Sequence, residues 1–363
     1  FMMTIGFNNE SIGWMVALYS ATSILMEVPS GILADRWSRK GVLALAALSL
    51  LASSLIGGMS NGVIIYLMSS VLWGFFDALN SGTDDSIIYD TLIEERGHAD
   101  DFEKEFGFYN AIAGVALVVA GVAGGWLGAN VGLREAYFYT IIPVLVAAGA
   151  VLFFREPTFH KHEAQTNIIP HIKDTFASVF RNPSLIWILI TLFAIGLANG
   201  LPGEMHQLWL IALGAPVFVI GLASSLVNST WGFGGIAGRF LKRKRAVIVS
   251  LVVALLSATM LALYRNVTGV IVALFILMIT ANATFIAMTG QLHRRLPSRV
   301  RAGATSAVNT MARFINIPLI ILFGWIAQRF DIFAASWIIV ALVGIALVSE
   351  IRAKHARSAV SIG

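Results

Sequence analysis

The chain has 363 residues, of which 57% are hydrophobic and 12% charged, with a mean hydropathy of +0.80. Soluble domains are about a quarter charged, so this composition excludes an ordinary soluble globular protein. The formal charge of +5 does not argue for nucleic acid, because the basic residues sit in short loops between apolar runs. There is no cysteine, hence no disulfide and no thiolate metal site. Nothing resembles a cleavable signal peptide.

At about 20 apolar residues per crossing, the chain reads as eleven spans. They cover approximately residues 11–34, 42–59, 62–89, 104–129, 135–154, 184–211, 216–238, 246–264, 267–291, 302–328 and 332–350. Residues 1–10 read as the tail of an earlier helix and the loop after it. A chain that opens on Phe1 is expected to lack a first helix. The first complete span ends in a charged hairpin, Gly31-Ile32-Leu33-Ala34-Asp35-Arg36-Trp37-Ser38-Arg39-Lys40, and the next helix is expected from Gly41.

Placing that hairpin in the cytoplasm puts all but four of the 25 Lys and Arg residues there. Arg134, Arg265 and Arg329 fall outside and Arg313 lies mid-span. The asymmetry follows the positive-inside rule, so the C-terminus is expected to be cytoplasmic.

Two internal echoes divide the chain. Gly31–Lys40 repeats loosely in Gly235-Ile236-Ala237-Gly238-Arg239-Phe240-Leu241-Lys242-Arg243-Lys244, and Gly125-Trp126-Leu127 repeats in Gly324-Trp325-Ile326. The expected organisation is therefore a first bundle over 1–154, a polar connector over 155–183, a second bundle over 184–351 and a cytoplasmic tail over 352–363. In the connector, Ile168, Ile169, Ile172, Phe176, Val179 and Phe180 share one helical face, which predicts a helix lying on the membrane surface.

Ionisable groups inside a bilayer cost about 2.5–3.5 kcal/mol each on insertion scales and are functional by default. On the 62–89 span, Trp73, Asp77, Asn80, Ser81 and Asp84 recur at three and four, so they share a face. Asp77 sits near mid-depth, where a carboxylate could bind a cation or carry a proton. Asp84 and Asp85 lie nearer the cytoplasm, where a solvated vestibule explains them as well. On the 302–328 span, Ser306, Asn309, Arg313 and Asn316 form a second stripe. Arg313 and Glu27 lie about 16 Å and about 12 Å from the inner ends of their helices, which makes them a candidate pair, with Asp77 the competing partner.

Asn199-Gly200-Leu201-Pro202-Gly203-Glu204-Met205-His206 is expected to interrupt a helix and serve as an external gate. The gate residues are Pro202, Gly203, Glu204 and His206. The bland reading of His206 is a surface residue at a helix end. No further ligands stand beside Glu204 and His206, so no metal is expected.

The hairpin pattern Gly-x-Leu-Ala-Asp-Arg-x-x-Arg-Lys resembles the loop between the second and third helices of the major facilitator superfamily. The chain is similar to that superfamily throughout, in its hairpin, two halves, long connector and a helix count one short of twelve. Leu296-Pro297-Ser298-Arg299-Val300-Arg301-Ala302 is similar to a segment of its bacterial exporter-like members. Ala120-Gly121-Val122-Ala123-Gly124-Gly125 resembles the antiporter motif Gly-Pro-x-x-Gly-Gly without its Pro, and the 62–89 span carries acids where drug–proton antiporters carry an Arg.

The resemblance implies an all-α polytopic fold of two pseudo-symmetric helix bundles, about eleven helices visible of twelve. It implies a monomeric carrier in the bacterial plasma membrane, neither an enzyme nor dependent on a cofactor, working by alternating access. Gly31, Asp35, Arg36, Arg39 and Lys40 would gate the halves. A midplane path would be lined by Glu27, Asp77, Asn80, Asp84, Asn282, Asn309 and Arg313. The expected function is proton-coupled export of a small amphipathic cation, with Asp77 or Glu27 carrying the proton. Two alternatives stand beside it. One is uptake of a nutrient or organic anion recognised by Arg313; the other is a non-transporting scaffold or sensor, against which the mid-depth charges argue.

Overall fold

The computed structural model describes residues 1–360 apart from 82, 99–100, 157–182, 239, 242–243 and 296–297. The side chains of residues 35, 84, 85, 103, 183–184, 244, 293, 298–310 and 354–360 are also outside the description. The expected surface helix of the connector falls among residues 157–182 and so lies outside the described residues.

Thirteen α-helices and one 3₁₀ turn, Met2–Ile5, make up the described chain, with no strand among the described residues. They are α1 Asn9–Arg36, α2 Arg39–Met59, α3 Val63–Asn80, α4 Thr83–Arg96, α5 Phe102–Asn130, α6 Leu133–Tyr139 and α7 Ile141–Phe153. After the connector come α8 Pro183–Ala212, α9 Val217–Gly238, α10 Lys244–Leu263, α11 Val267–Arg295, α12 Ser298–Arg329 and α13 Ile332–Val360. Eleven segments among the described residues are long and apolar enough to cross a membrane, one for each expected span.

Two compact units emerge, one of Phe1–Ala116 with Ala123–Thr166, the other of Leu117–Val122 with Asn167–Gly363. In the first, α3 packs on both α1 and α2, and α7 packs on α2. Val42, Ala46 and Leu79 form the buried seam there, flanked by Ala34 and Phe76. In the second, α8 is central and packs on α9, α11, α12 and α13. Its Leu201 and Trp209 are fully buried, and Met205 nearly so.

The helix starts follow from local chemistry. Asn8 caps α1 by accepting the Ser11 N–H at 2.8 Å, while the Ser11 hydroxyl accepts the Asn8 N–H at 2.8 Å. This reciprocal pair satisfies two of the donors a helix start leaves open. Ser38 caps α2 by accepting the Gly41 N–H at 3.0 Å. The expected loop over 35–40 therefore shrinks to Trp37 and Ser38, and Arg39 and Lys40 belong to the first turn of α2.

Three expected elements differ. The 62–89 span is not one helix: Ser81 leaves the helical region at φ −59°, ψ 128°, and α4 begins at Thr83. Asp84, Asp85, Asp90, Glu94, Glu95 and Arg96 all fall on α4, more charge than a bilayer core accepts, so the apolar span ends with α3. The 135–154 span is divided at Thr140, where Pro143 has no N–H to offer the Tyr139 carbonyl. Conversely α8 runs unbroken through Gly200 and Pro202. A proline removes one helical hydrogen bond, and close packing by neighbouring helices holds the chain helical regardless.

Close approach of α1 and α3 depends on Gly74. A Cβ there would lie 2.6 Å from the Tyr19 backbone carbonyl oxygen and 2.8 Å from Thr22 Cβ. Gly74→Ala is expected to push the two helices apart at a cost of roughly 1–3 kcal/mol, read as a lowered Tm of the purified protein in detergent.

At the far end of the second unit, Asp331 caps α13 through the Ala334 N–H at 2.6 Å and accepts a hydrogen bond from Arg265 at 3.0 Å. Partial burial opposes ionisation, but the Ala334 amide and the Arg265 guanidinium outweigh it and hold the Asp331 carboxyl below its ordinary value. A carboxyl depressed by folding stabilises above its unfolded pKa, and that contribution is lost as pH falls through the folded value. Asp331→Ala is therefore expected to cost about 1 kcal/mol near pH 7, the worth of a cap. The gap in Tm between the two proteins should close as pH falls well below about 4.

Candidate functional site

The first unit holds a cavity of about 260 Å³ lined by Met15, Tyr19, Ser53, Tyr66, Ser69, Ser70, Trp73 and Tyr137. Its walls come from α1, α2, α3 and α6. The serines are committed to packing: Ser53 donates to the Ser69 carbonyl at 2.9 Å, Ser69 to the Ser53 carbonyl at 2.8 Å, and Ser70 to the Tyr66 carbonyl at 3.1 Å. The remaining surface is largely aromatic, with Tyr66 and Tyr137 edge to face at 6.2 Å between centroids.

One helical turn along from Tyr19 and Trp73 stand Ser23 and Asp77. The Ser23 hydroxyl donates to Asp77 Oδ2 at 2.6 Å, the length of a charge-assisted bond. Gly74 lets α1 and α3 meet closely enough for this bond to form. Glu27 lies a further turn along α1 from Ser23 and is half-buried, as are Asp77 and Asn80. The structure thus brings Asp77 and Glu27 onto facing helices about a turn apart. Asp84 lies past the break at Ser81, so it does not extend the Asp77–Asn80 stripe as expected, and its side chain is outside the description.

The hairpin residues dock inside the first unit. Arg39 forms an ion pair with Asp90, whose side chain is 5% exposed, and donates to the Ser86 carbonyl at 3.2 Å. Glu156 sits on the start of α2, accepting from Ser38 Oγ and from the Arg39 backbone N–H, both at 2.6 Å. A carboxylate at a helix N-terminus is favourable, and here it also offsets two cations in the first turn. Lys40 donates to the Leu152 carbonyl at the end of α7 at 2.7 Å. Gly31 and Arg36 are exposed, and the Asp35 side chain is outside the description.

In the second unit, Asn199 on α8 donates to Asn282 Oδ1 on α11 at 3.0 Å, and Asn282 Nδ2 reaches Thr230 Oγ1 on α9 at 3.3 Å. Asn316 of α12 lies beside Gly200. Arg313 is half-buried, and the Asn309 side chain is outside the description. His206 is buried rather than a surface residue, with Nε2 at 2.9 Å from Ser224 Oγ and Nδ1 at 3.2 Å from the Gly203 carbonyl. Pro202 is buried, and Gly203 and Glu204 are exposed.

Sequence reasoning did not single out Asp90, Glu156, Ser23, Asn199 or Glu350. Asp90 carried a signal, as a lone charge within Ile87-Ile88-Tyr89-Asp90-Thr91-Leu92-Ile93. Glu350 is fully buried near the end of the last apolar segment, where it reads as a helix-end charge.

Eleven apolar helices in two units, with carboxylates and amides turned inward, define a polytopic α-helical membrane protein. The profile described as Major Facilitator Superfamily matches residues 1–320. The chain belongs to the Major Facilitator Superfamily.

It is 24% identical over 204 residues to multidrug resistance protein 2 of Bacillus subtilis (strain 168), covering 54% of this chain and 49% of that protein. It is 26% identical over 223 residues to multidrug resistance protein MdtG of Citrobacter koseri, covering 60% of this chain and 53% of that one. The chain therefore spans about half the length of these relatives. Among solved structures, a mutant of the nucleoside transporter NupG superposes with a TM-score of 0.78 at 17% identity, over 98% of this chain and 92% of that one. This last likeness is one of fold.

Proposed function

We propose that the protein is a secondary carrier that exports small amphipathic cations by alternating access, with protons as the coupling ion. The observation that carries this reading is the Asp77 carboxylate, held by Ser23, one helical turn from an aromatic cavity. A helical turn is about 5.4 Å, so an aromatic group seated among Tyr19, Tyr66, Trp73 and Tyr137 brings an attached cation within reach of Asp77. Aromatic faces attract cations as well. At about 260 Å³ the cavity is near the small end of ligand pockets, which suits one ring system rather than a whole large compound.

Two relatives named multidrug resistance proteins support export. Glu27, one turn further along α1, is the second candidate for the proton. With the 35–40 hairpin inside, the C-terminus is cytoplasmic. Arg39 and Lys40 hold that hairpin against α4 and α7 and act as the gate.

The test is growth of a bacterial host stripped of its own exporters, carrying the full-length gene, on tetraphenylphosphonium, ethidium and neutral toxic compounds. The expected result is resistance to the cations. No resistance to any compound, with the protein present in the membrane, overturns the export reading and turns attention to uptake through Arg313.

A further inference from the structure

The hydrogen bonds of the second unit have a direction, and it leads to an open acceptor. Thr230 Oγ1 donates its one proton to the Val227 carbonyl at 2.6 Å. In its 3.3 Å contact with Asn282 it must therefore accept, which makes Nδ2 the Asn282 atom facing it. Asn282 Oδ1 then faces Asn199, so Asn199 turns Nδ2 toward it at 3.0 Å. Flipping either amide alone would set acceptor against acceptor or donor against donor. Flipping both would face Asn282 Oδ1 with a hydroxyl whose proton is already used.

The chain ends on Asn199 Oδ1, which is buried and has no hydrogen-bond partner among the described residues. Asn199 is only 9% exposed and Asn282 4%. The relay is held in register by Gly234, where a Cβ would lie 2.5 Å from Asn282 Cβ. Asn316 Oδ1 on α12 is a second buried acceptor without a hydrogen-bond partner among the described residues. A Cβ on Gly200 would be 3.8 Å from that oxygen. Gly200 and Gly203 leave this side of α8 partly open, since Gly200 is half-buried and Gly203 exposed. Two buried amide oxygens that lack donors cost stability unless something supplies donors.

We propose that Asn199 and Asn316 form a subsite that accepts hydrogen bonds from an N–H or O–H group of the transported compound. This rests on the export reading and refines it. Among amphipathic cations, those bearing amino or hydroxyl groups gain an interaction that purely hydrocarbon cations do not.

The test is binding to the purified full-length protein in lipid nanodiscs of two probes, ethidium, with two aryl amino groups, and tetraphenylphosphonium, with no N–H or O–H. Asn199→Leu should weaken ethidium about tenfold, the order expected for one buried hydrogen bond. Tetraphenylphosphonium should change less than about twofold. If Asn199→Leu does not fold, Asn316→Leu is read for the same difference between probes. Equal effects on both probes, or none on either, mean that the amide oxygens bind water only, and they overturn the subsite while leaving export standing. A wild-type protein that binds neither probe and confers no resistance overturns the export reading and the subsite with it.

Discussion

Asp77→Asn is expected to return resistance against lipophilic cations to that of cells without the carrier, with the amount of protein in the membrane unchanged. The substitution conserves shape. An asparagine oxygen at the position of Oδ2 still accepts the Ser23 hydroxyl, now at 2.6 Å from the carboxylate, and Gly74 still lets α1 and α3 meet. The charge is removed, and the other carboxylate oxygen becomes an amide donor. A carboxylate in a membrane segment costs about 2.5–3.5 kcal/mol on insertion scales, so its removal should not harm assembly. A cation seated in the aromatic cavity would lose its counter-charge, and the coupling proton its candidate site. Neutral compounds, where exported, should be affected least, and Arg313→Gln should leave cation resistance largely in place. Undiminished cation resistance in Asp77→Asn, measured as growth on tetraphenylphosphonium, would remove Asp77 from the mechanism and make Glu27 the next carboxylate to change.

The second large effect is expected at Arg39 and Asp90. Removing one member of a buried ion pair leaves the other charge without compensation and costs roughly 3–5 kcal/mol. Asp90 is buried within the first unit, and Arg39 is held there also by the Ser86 carbonyl. Asp90→Ala and Arg39→Ala should each lower the Tm of the purified protein by several degrees or prevent its accumulation. Exchanging both for apolar residues, Arg39→Met with Asp90→Leu, should recover most of that loss, because a well-packed apolar pair is often no worse than a buried ion pair.

The double variant also separates two roles. A stable double variant that transports normally makes the pair an anchor for the hairpin. A stable double variant that binds substrate but fails to transport makes it part of the gate. Transport and Tm measured on the same preparation decide between them.

The eleven spans and their helical character were legible in the sequence. Hydropathy and helical periodicity are local properties, carried by 20 or so consecutive residues. Asp77 was legible for the same reason, as a charge in an apolar run. Local reasoning also misjudged two helices. The polar stripe from Trp73 to Asp84 looked continuous, yet Ser81 ends α3 and the charge of α4 takes that segment out of the apolar run. Pro202 looked like a break, yet α8 passes through it, packed on four other helices.

What surrounds the candidate residues was decided by tertiary structure. Ser23 lies 54 positions from Asp77, Asn199 lies 83 from Asn282, and Ser38 lies 118 from Glu156. No periodicity links residues at such separations. Their pairing depends on where glycines such as Gly74 and Gly234 let helices approach, and on hydrogen-bond directions that exist only once the helices have packed. Composition determined that this chain lies in a membrane as helices; packing decided which of its few polar groups meet.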